Sequence, residues 1–380
     1  MPNRLPHWSR VSSLLALVGG LSGCAQDGSV GARPEAVVYG EDDRTDVYAH
    51  PDASLRALAT TSIVALMNST DLTEEVDGTF TYDTSFTHGE AYGLCSDQRF
   101  VEQPIAAFCS GTLVAPDVIV TAGHCIDSGP DPDEVPNCAD TSLVFDYLYT
   151  ADGELAELEA DDVYNCVEVL ARENGTLDYA YVRLDRPVVG HSPADLSAGL
   201  GATCRSVADG DAVSVLGFGA GLPLKIDDGG NVTDESTDGS YFFHTSLDTF
   251  GGNSGSGVFD ADGNMVGVLS AGATDYVTRA GEACDEVNVL PESAGQEVIG
   301  HVLPTLFAYC NEASDPDADL CALLDTACPD GPDGEGSGGE GSSCSVSASS
   351  TGGNSVSLAF LALLGLTLGR RVSRKRGSAE

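Results

Sequence analysis

Asp248-Thr249-Phe250-Gly251-Gly252-Asn253-Ser254-Gly255-Ser256-Gly257 is a glycine-rich turn with a serine at its centre, and the strand-like pair Val258-Phe259 follows it at once. Glycine takes backbone conformations closed to other residues, so consecutive N–H groups in such a turn can converge on a small space beside the Ser254 hydroxyl. That is how an oxyanion hole is built, and each donor in one lowers the barrier by about 3 kcal/mol. Standing alone, the same residues are more often a flexible Gly-Ser loop. A serine hydroxyl is also a poor nucleophile until a base removes its proton, so the reading depends on what the rest of the chain supplies.

Two distant stretches supply it. Phe108-Cys109-Ser110-Gly111-Thr112-Leu113-Val114 and Val120-Thr121-Ala122-Gly123-His124-Cys125 read as successive strands, with His124 at the end of the second. In an antiparallel pair Cys109 and Cys125 can meet, and their bridge would fix the backbone that carries His124. Leu177-Asp178-Tyr179-Ala180-Tyr181-Val182 then places Asp178 at the head of a third strand. From there its carboxylate could orient the imidazole and stabilise the imidazolium formed during proton transfer. Neither residue is telling alone, because a histidine at a strand end is usually a packed or surface residue and an aspartate before a strand is usually a turn former. The chain order His, Asp, Ser carries the reading.

The remaining pattern fits an all-β body. Short β-branched runs at 62–67, 111–114, 118–121, 143–145, 163–170, 179–184, 212–216, 256–259 and 265–269 are bounded by Gly, Pro, Asp or Asn. That rhythm predicts an antiparallel sandwich or barrel rather than alternating strands and helices. Phe259-Asp260-Ala261-Asp262-Gly263-Asn264-Met265 gives the clearest hairpin signal.

Composition narrows the partners. The chain has 380 residues, and its 59 acidic against 17 basic side chains give a net charge of −42, which repels nucleic acid and anionic lipid. Seven of the 17 basic residues lie at the two ends, which leaves the chain between them strongly anionic. Arg4 and Arg10 precede an apolar run at 11–21 that is too short to span a bilayer and reads as a signal peptide. It closes on Leu21-Ser22-Gly23-Cys24, which resembles the lipobox of bacterial lipoproteins and makes Cys24 the lipid acceptor. At the other end, 329–343 is too poor in apolar residues to fold, and 356–368 is apolar and followed by Arg370, Arg371, Arg374, Lys375 and Arg376. This layout, with Cys344 lying before the apolar run, resembles the MYXO-CTERM type of bacterial sorting tail, and Cys344 is then the sorting residue. Setting aside Cys24 and Cys344 from the twelve cysteines leaves ten, enough for five bridges in an exported protein. No CxxC or HExxH is present, so no metal ligand is assigned. The acidic stretches 127–140 and 315–319 lack a full EF-hand loop and read as solvated acidic loops, so no cofactor is expected, with a structural calcium ion as the alternative.

Taken together, the His124, Asp178 and Ser254 segments resemble the signature motifs of trypsin-like serine peptidases, and more closely those of the bacterial glutamyl endopeptidase branch. Val37-Val38-Tyr39-Gly40-Glu41-Asp42-Asp43-Arg44 is similar to the mature N-terminus of that branch. The resemblance implies two packed antiparallel six-stranded β-barrels with the site between them. It also implies His124 as general base, Asp178 as its orienting partner, Ser254 as nucleophile, and the N–H groups of Gly252 and Ser254 as the oxyanion hole. Substrate contacts fall at Asp248, Thr249, Ser270 and Gly272. Asp248 stands where trypsin-type enzymes carry the carboxylate that reads Lys or Arg, whereas Leu269 replaces the histidine of the glutamyl branch. These two differences tilt the expected cleavage towards basic side chains, with Glu specificity as the alternative. Maturation near Ala36-Val37 is a further expectation, and burial of Val37 or Val38 in the body would count against it.

The expected organisation is a lipoprotein-type signal at 1–24, a lead-in segment at 25–57, the peptidase domain at 58–312, an acidic disordered linker at 313–353, and a C-terminal apolar helix with its basic tail at 354–380. Partners are protein or peptide substrates, and a membrane through either end. The location is the cell surface, the outer membrane or the exterior. Two rival classes remain: a catalytically silent homologue serving as an adhesin, and an α/β-hydrolase esterase. The esterase would need a helix after Ser254, where this chain is strand-like.

Overall fold

The computed structural model describes residues 37–127, 136–197, 207–235 and 241–327. The signal segment with Cys24, the apolar tail with Cys344, and the cysteines Cys204 and Cys328 lie outside these residues. No helix among the described residues is long and apolar enough to cross a membrane.

Six strands close the first barrel: β1 (Ile63–Asn68), β2 (Cys109–Ala115), β3 (Val118–Thr121), β4 (Thr141–Val144), β5 (Val163–Glu173) and β6 (Tyr179–Leu184). They pair antiparallel in the cyclic order β5-β6-β3-β2-β1-β4, and β4 returns to β5. Six more close the second: β7 (Ala212–Gly217), β8 (Lys225–Asp234), β9 (Phe242–Thr245), β10 (Gly257–Asp260), β11 (Met265–Ala271) and β12 (Glu297–His301). Their order is β7-β10-β11-β12-β9-β8, closed by β7 pairing with β8. The two six-stranded barrels are the expected chymotrypsin-like fold.

Side chains alternate across a strand, so a strand buried on both faces divides its apolar residues between two cores. In β1, Val64 and Leu66 fill the first barrel with Leu113, Ile119, Leu143 and Val182. Ile63, Ala65 and Met67 face the other way, into a second cluster that also takes Leu216, Phe259 and Val268 from the second barrel. The second barrel is filled by Val213, Val215, Phe243, Val258, Val266 and Ile299. Between β10 and β11 the expected hairpin forms. The Asp260 carboxylate accepts from the N–H groups of Asp262 and Asn264, and Gly263 turns the chain at φ +83°.

Two boundaries differ from the sequence reading. Residues 37–57 are part of the body rather than a lead-in. Val38–Tyr39 pairs in parallel with Val289–Leu290, Thr45–Asp46 pairs with β8, and helix α1 begins at Ala53 (Ala53–Ser62). Val37 and Val38 are 0% and 1% exposed, which counts against a maturation cut at that bond, since a protease reaches it only before the segment docks. Residues 313–327 are likewise folded, in short helices at Ala318–Ala322 and Leu324–Ala327 tied to helix α2 (Val302–Glu312) by the Cys310–Cys321 bridge. Cys95–Cys284 and Cys138–Cys166 add two more bridges, and Cys109–Cys125 forms as expected.

Candidate active site

His124 lies in a single turn at the end of β3, and Asp178 immediately precedes β6, the strand that pairs with β3. That pairing brings the two side chains together. Asp178 Oδ2 is 2.8 Å from His124 Nδ1, and Oδ1 accepts from the His124 backbone N–H at 3.0 Å. A carboxylate only accepts, so Nδ1 carries a proton and Nε2 is left as the nitrogen that can act as a base. The Asp178 side chain is 1% exposed and that of His124 is 28% exposed, so the acid is sealed while the base remains reachable. Ser270, expected at the substrate, instead donates its hydroxyl to Asp178 Oδ2 at 2.5 Å. Asp178 is held at φ +48°, a left-handed conformation that costs a non-glycine residue energy and tends to persist where surrounding contacts enforce it.

Ser254 sits on the tight turn before β10, half-buried. Its carbonyl accepts from Ser110 N–H at 2.9 Å and lies 3.5 Å from Cys125 Sγ, the residue after His124. The Ser110 hydroxyl donates to the Gly252 carbonyl at 2.8 Å and accepts from Phe218 N–H at 2.9 Å, so β2 of the first barrel pins the serine loop of the second. Asn253 folds the loop onto itself, accepting from Phe250 N–H at 3.0 Å. Gly255 has φ +86°, and a Cβ there would stand 2.2 Å from both Ser110 O and Thr121 Oγ1, so the turn admits no side chain. Among the described residues, the N–H groups of Gly252 and Ser254 donate to no other protein group. Cys109 and Cys125 are bonded to each other, which leaves neither free to join His124 around a metal.

The substrate-contact residues divide. Asp248 is 3% exposed and has a structural role: its two oxygens accept from the N–H groups of Tyr39 at 2.7 Å and Asp43 at 3.0 Å. Burial pushes its pKa up to about 7, against the opposing pull of those two N–H bonds. The expected basic-pocket carboxylate is therefore taken up in anchoring residues 37–43. Thr249 and Gly272 instead converge on Glu297, which the sequence reading passed over. The Thr249 hydroxyl donates to Glu297 Oε2, and Oε1 accepts from Tyr39 OH at 3.1 Å and Ala273 N–H at 3.3 Å. Gly272 lies directly against this carboxyl, since a Cβ on it would stand 2.0 Å from Oε2. Burial raises the Glu297 pKa to about 7. A lone glutamate opening a five-residue strand gives no sequence signal, and neither does Ser110. Leu269 is buried and apolar, in the second barrel's core.

Residues 109–268 match the family model of the trypsin-like peptidase domain. A search of curated protein sequences finds no match. Among solved structures, a Glu endopeptidase in complex with MPD shares 18% identity over 77% of this chain and 99% of its own, at a TM-score of 0.40. The Vibrio cholerae VesB protease shares 13% identity over 70% of this chain at a TM-score of 0.39, and this chain spans 64% of its length.

Proposed function

We propose that the chain is an exported serine endopeptidase that cleaves peptide bonds through an acyl-enzyme and favours a basic side chain at the cleavage site. One observation carries the reading: a buried carboxylate holds His124 by both its backbone and its ring Nδ1, while the Ser254 carbonyl is seated beside Cys125, the next residue. His124 takes the Ser254 proton through Nε2 as the hydroxyl attacks the scissile carbonyl. The undirected N–H groups of Gly252 and Ser254 receive the oxyanion, and His124 then protonates the leaving amine. The match of residues 109–268 to a peptidase domain supports the same reaction class. Four disulfides among the described residues suit an oxidising compartment and so export.

The basic preference rests on Glu297 rather than Asp248. Glu297 is itself fully buried, but it lies directly beneath Gly272 and has no basic partner among its hydrogen bonds, so a cation seated over Gly272 is drawn towards it. An acidic side chain in the same place gains no such attraction and, once Glu297 ionises above about pH 7, meets like charge in a poorly solvated setting, which costs several kcal/mol, of order 2–5.

A fluorophosphonate probe tests the chemistry. The full chain should label, and Ser254→Ala should abolish both the label and turnover. A native fold that neither labels nor cleaves any peptide would leave the silent-adhesin reading in its place. A panel of fluorogenic peptides should favour Arg or Lys, and a preference for Glu would overturn the specificity assignment.

A further inference from the structure

Outside the triad, three strands of the first barrel and helix α1 bring His191, Asp146 and Asp162 together. Asp146 lies two residues after β4, Asp162 immediately before β5, and His191 seven residues after β6, against the end of α1. The His191 ring stacks on Phe145 with centroids 4.2 Å apart, and its Nδ1 lies 2.9 Å from the Thr60 carbonyl. A carbonyl can only accept, so Nδ1 carries a proton and it is Nε2 that faces the carboxylates, which, against the opposing pull of burial, also hold the ring's pKa above its ordinary value and make any metal compete with a proton there. Nε2 faces Asp162 Oδ1 at 3.6 Å, ion-pair range and slightly longer than an ordinary hydrogen bond. Asp162 is braced in turn, its Oδ2 accepting from Glu159 N–H at 2.7 Å. One ligand atom from each of the three side chains falls within 4.8 Å of the other two. The His191 side chain is 6% exposed and that of Asp162 14%, so the cluster is largely withdrawn from water.

From this geometry we infer a divalent transition-metal site made by His191 Nε2, Asp146 and Asp162, with zinc as the ion that fits. A tetrahedral zinc ion with bonds of about 2.0–2.1 Å separates its ligand atoms by roughly 3.3–3.4 Å, close to the His191 to Asp162 spacing. An imidazole whose other nitrogen donates to a backbone carbonyl is oriented as metal-binding histidines are. Two carboxylates balance the ion's charge, and a nitrogen ligand favours zinc over calcium. The ion would tie the ends of α1, β4 and β6 to the start of β5. The site is independent of the proteolytic reading, since it uses none of the triad.

Zinc titration of the chelator-stripped full chain tests it, read by calorimetry and thermal melts. The wild type should bind one more zinc ion than His191→Ala and gain melting temperature, whereas Asp146→Asn keeps the ring and should bind at least about tenfold more weakly. The Asp146→Asn measurement stands even where His191→Ala folds poorly. An unchanged stoichiometry in both variants, an equal shift with calcium, or a melting temperature that follows pH but ignores zinc would each overturn the site. The last outcome would identify a protonated imidazole held between two carboxylates.

Discussion

Asp178 shows how much one residue must satisfy. Its carboxylate accepts from the His124 backbone, the His124 ring and the Ser270 hydroxyl, while its own backbone sits at φ +48°. Asparagine tolerates the left-handed region at least as well as aspartate does, so Asp178→Asn keeps the backbone and removes the charge. The amide would also donate towards Nδ1 and reverse the tautomer. Turnover should fall by about 10³–10⁴-fold with the melting temperature little changed, as steady-state kinetics beside thermal melts would show. A fall under tenfold would mean that the carboxylate does not orient the base. The sequence marked Asp178 through chain order alone, because in so acidic a chain the residue type says nothing. Ser270 and Glu297 show the opposite limit. What a hydroxyl or carboxyl touches depends on partners about 90 to 260 positions away.

Among the elements, legibility followed hydrophobic pattern. Strands with consecutive β-branched residues, such as Val118–Thr121 and Tyr179–Leu184, were readable because both of their faces are buried. β8, β9 and β12 were not. Lys225–Asp234 runs Lys-Ile-Asp-Asp-Gly-Gly-Asn-Val-Thr-Asp, which reads as a turn, and it is a strand because β7 and β9 pair with its two edges. Helix α2 was also missed, although Val302, Leu306 and Tyr309 repeat at helical spacing and are fully buried. Tyr309 stacks on Tyr181 of β6 with centroids 4.4 Å apart, so this helix closes over the first barrel. Leu306→Ala should therefore cost about 2–5 kcal/mol in urea unfolding, whereas Phe307→Ala next to it, 48% exposed, should stay within about 0.5 kcal/mol. Equal effects at the two positions would mean that α2 does not pack as described.

For the molecule as a whole, the dominant fact is an acidic chain that buries part of its acidity. Residues 37–46 are held by Asp248, by Arg44 lying 3.8 Å over the Phe250 ring and paired with Asp42, and by Lys225 at 2.8 Å from Asp46. Asp227, fully enclosed beneath Asp248, is raised well above the usual carboxylate range by its burial and by that neighbour. Asp248 and Glu297 keep their protons up to about pH 7 in the folded chain, against ordinary values of 3.8 and 4.5. Between those limits the folded state holds more protons than the unfolded one, so stability falls as pH rises through this window. The melting temperature should drop between about pH 5 and about pH 7, and the drop should shrink in Glu297→Gln. A melting temperature that climbs across the same interval in the wild type, or a slope unchanged by the substitution, would show that these carboxyls are ionised in the fold.

From the sequence alone came the class of fold and the proposal for the chemistry, since glycine spacing, alternating apolar runs and the order of His124, Asp178 and Ser254 are local properties of the chain. The closure of each barrel, the role of Asp248 as an anchor, and the meeting of Thr249, Gly272 and Glu297 belong to the tertiary structure. The reason is physical. A hydrogen bond or buried charge takes its meaning from whatever the fold brings within about 3 Å, and nothing in the linear order of residues measures that distance.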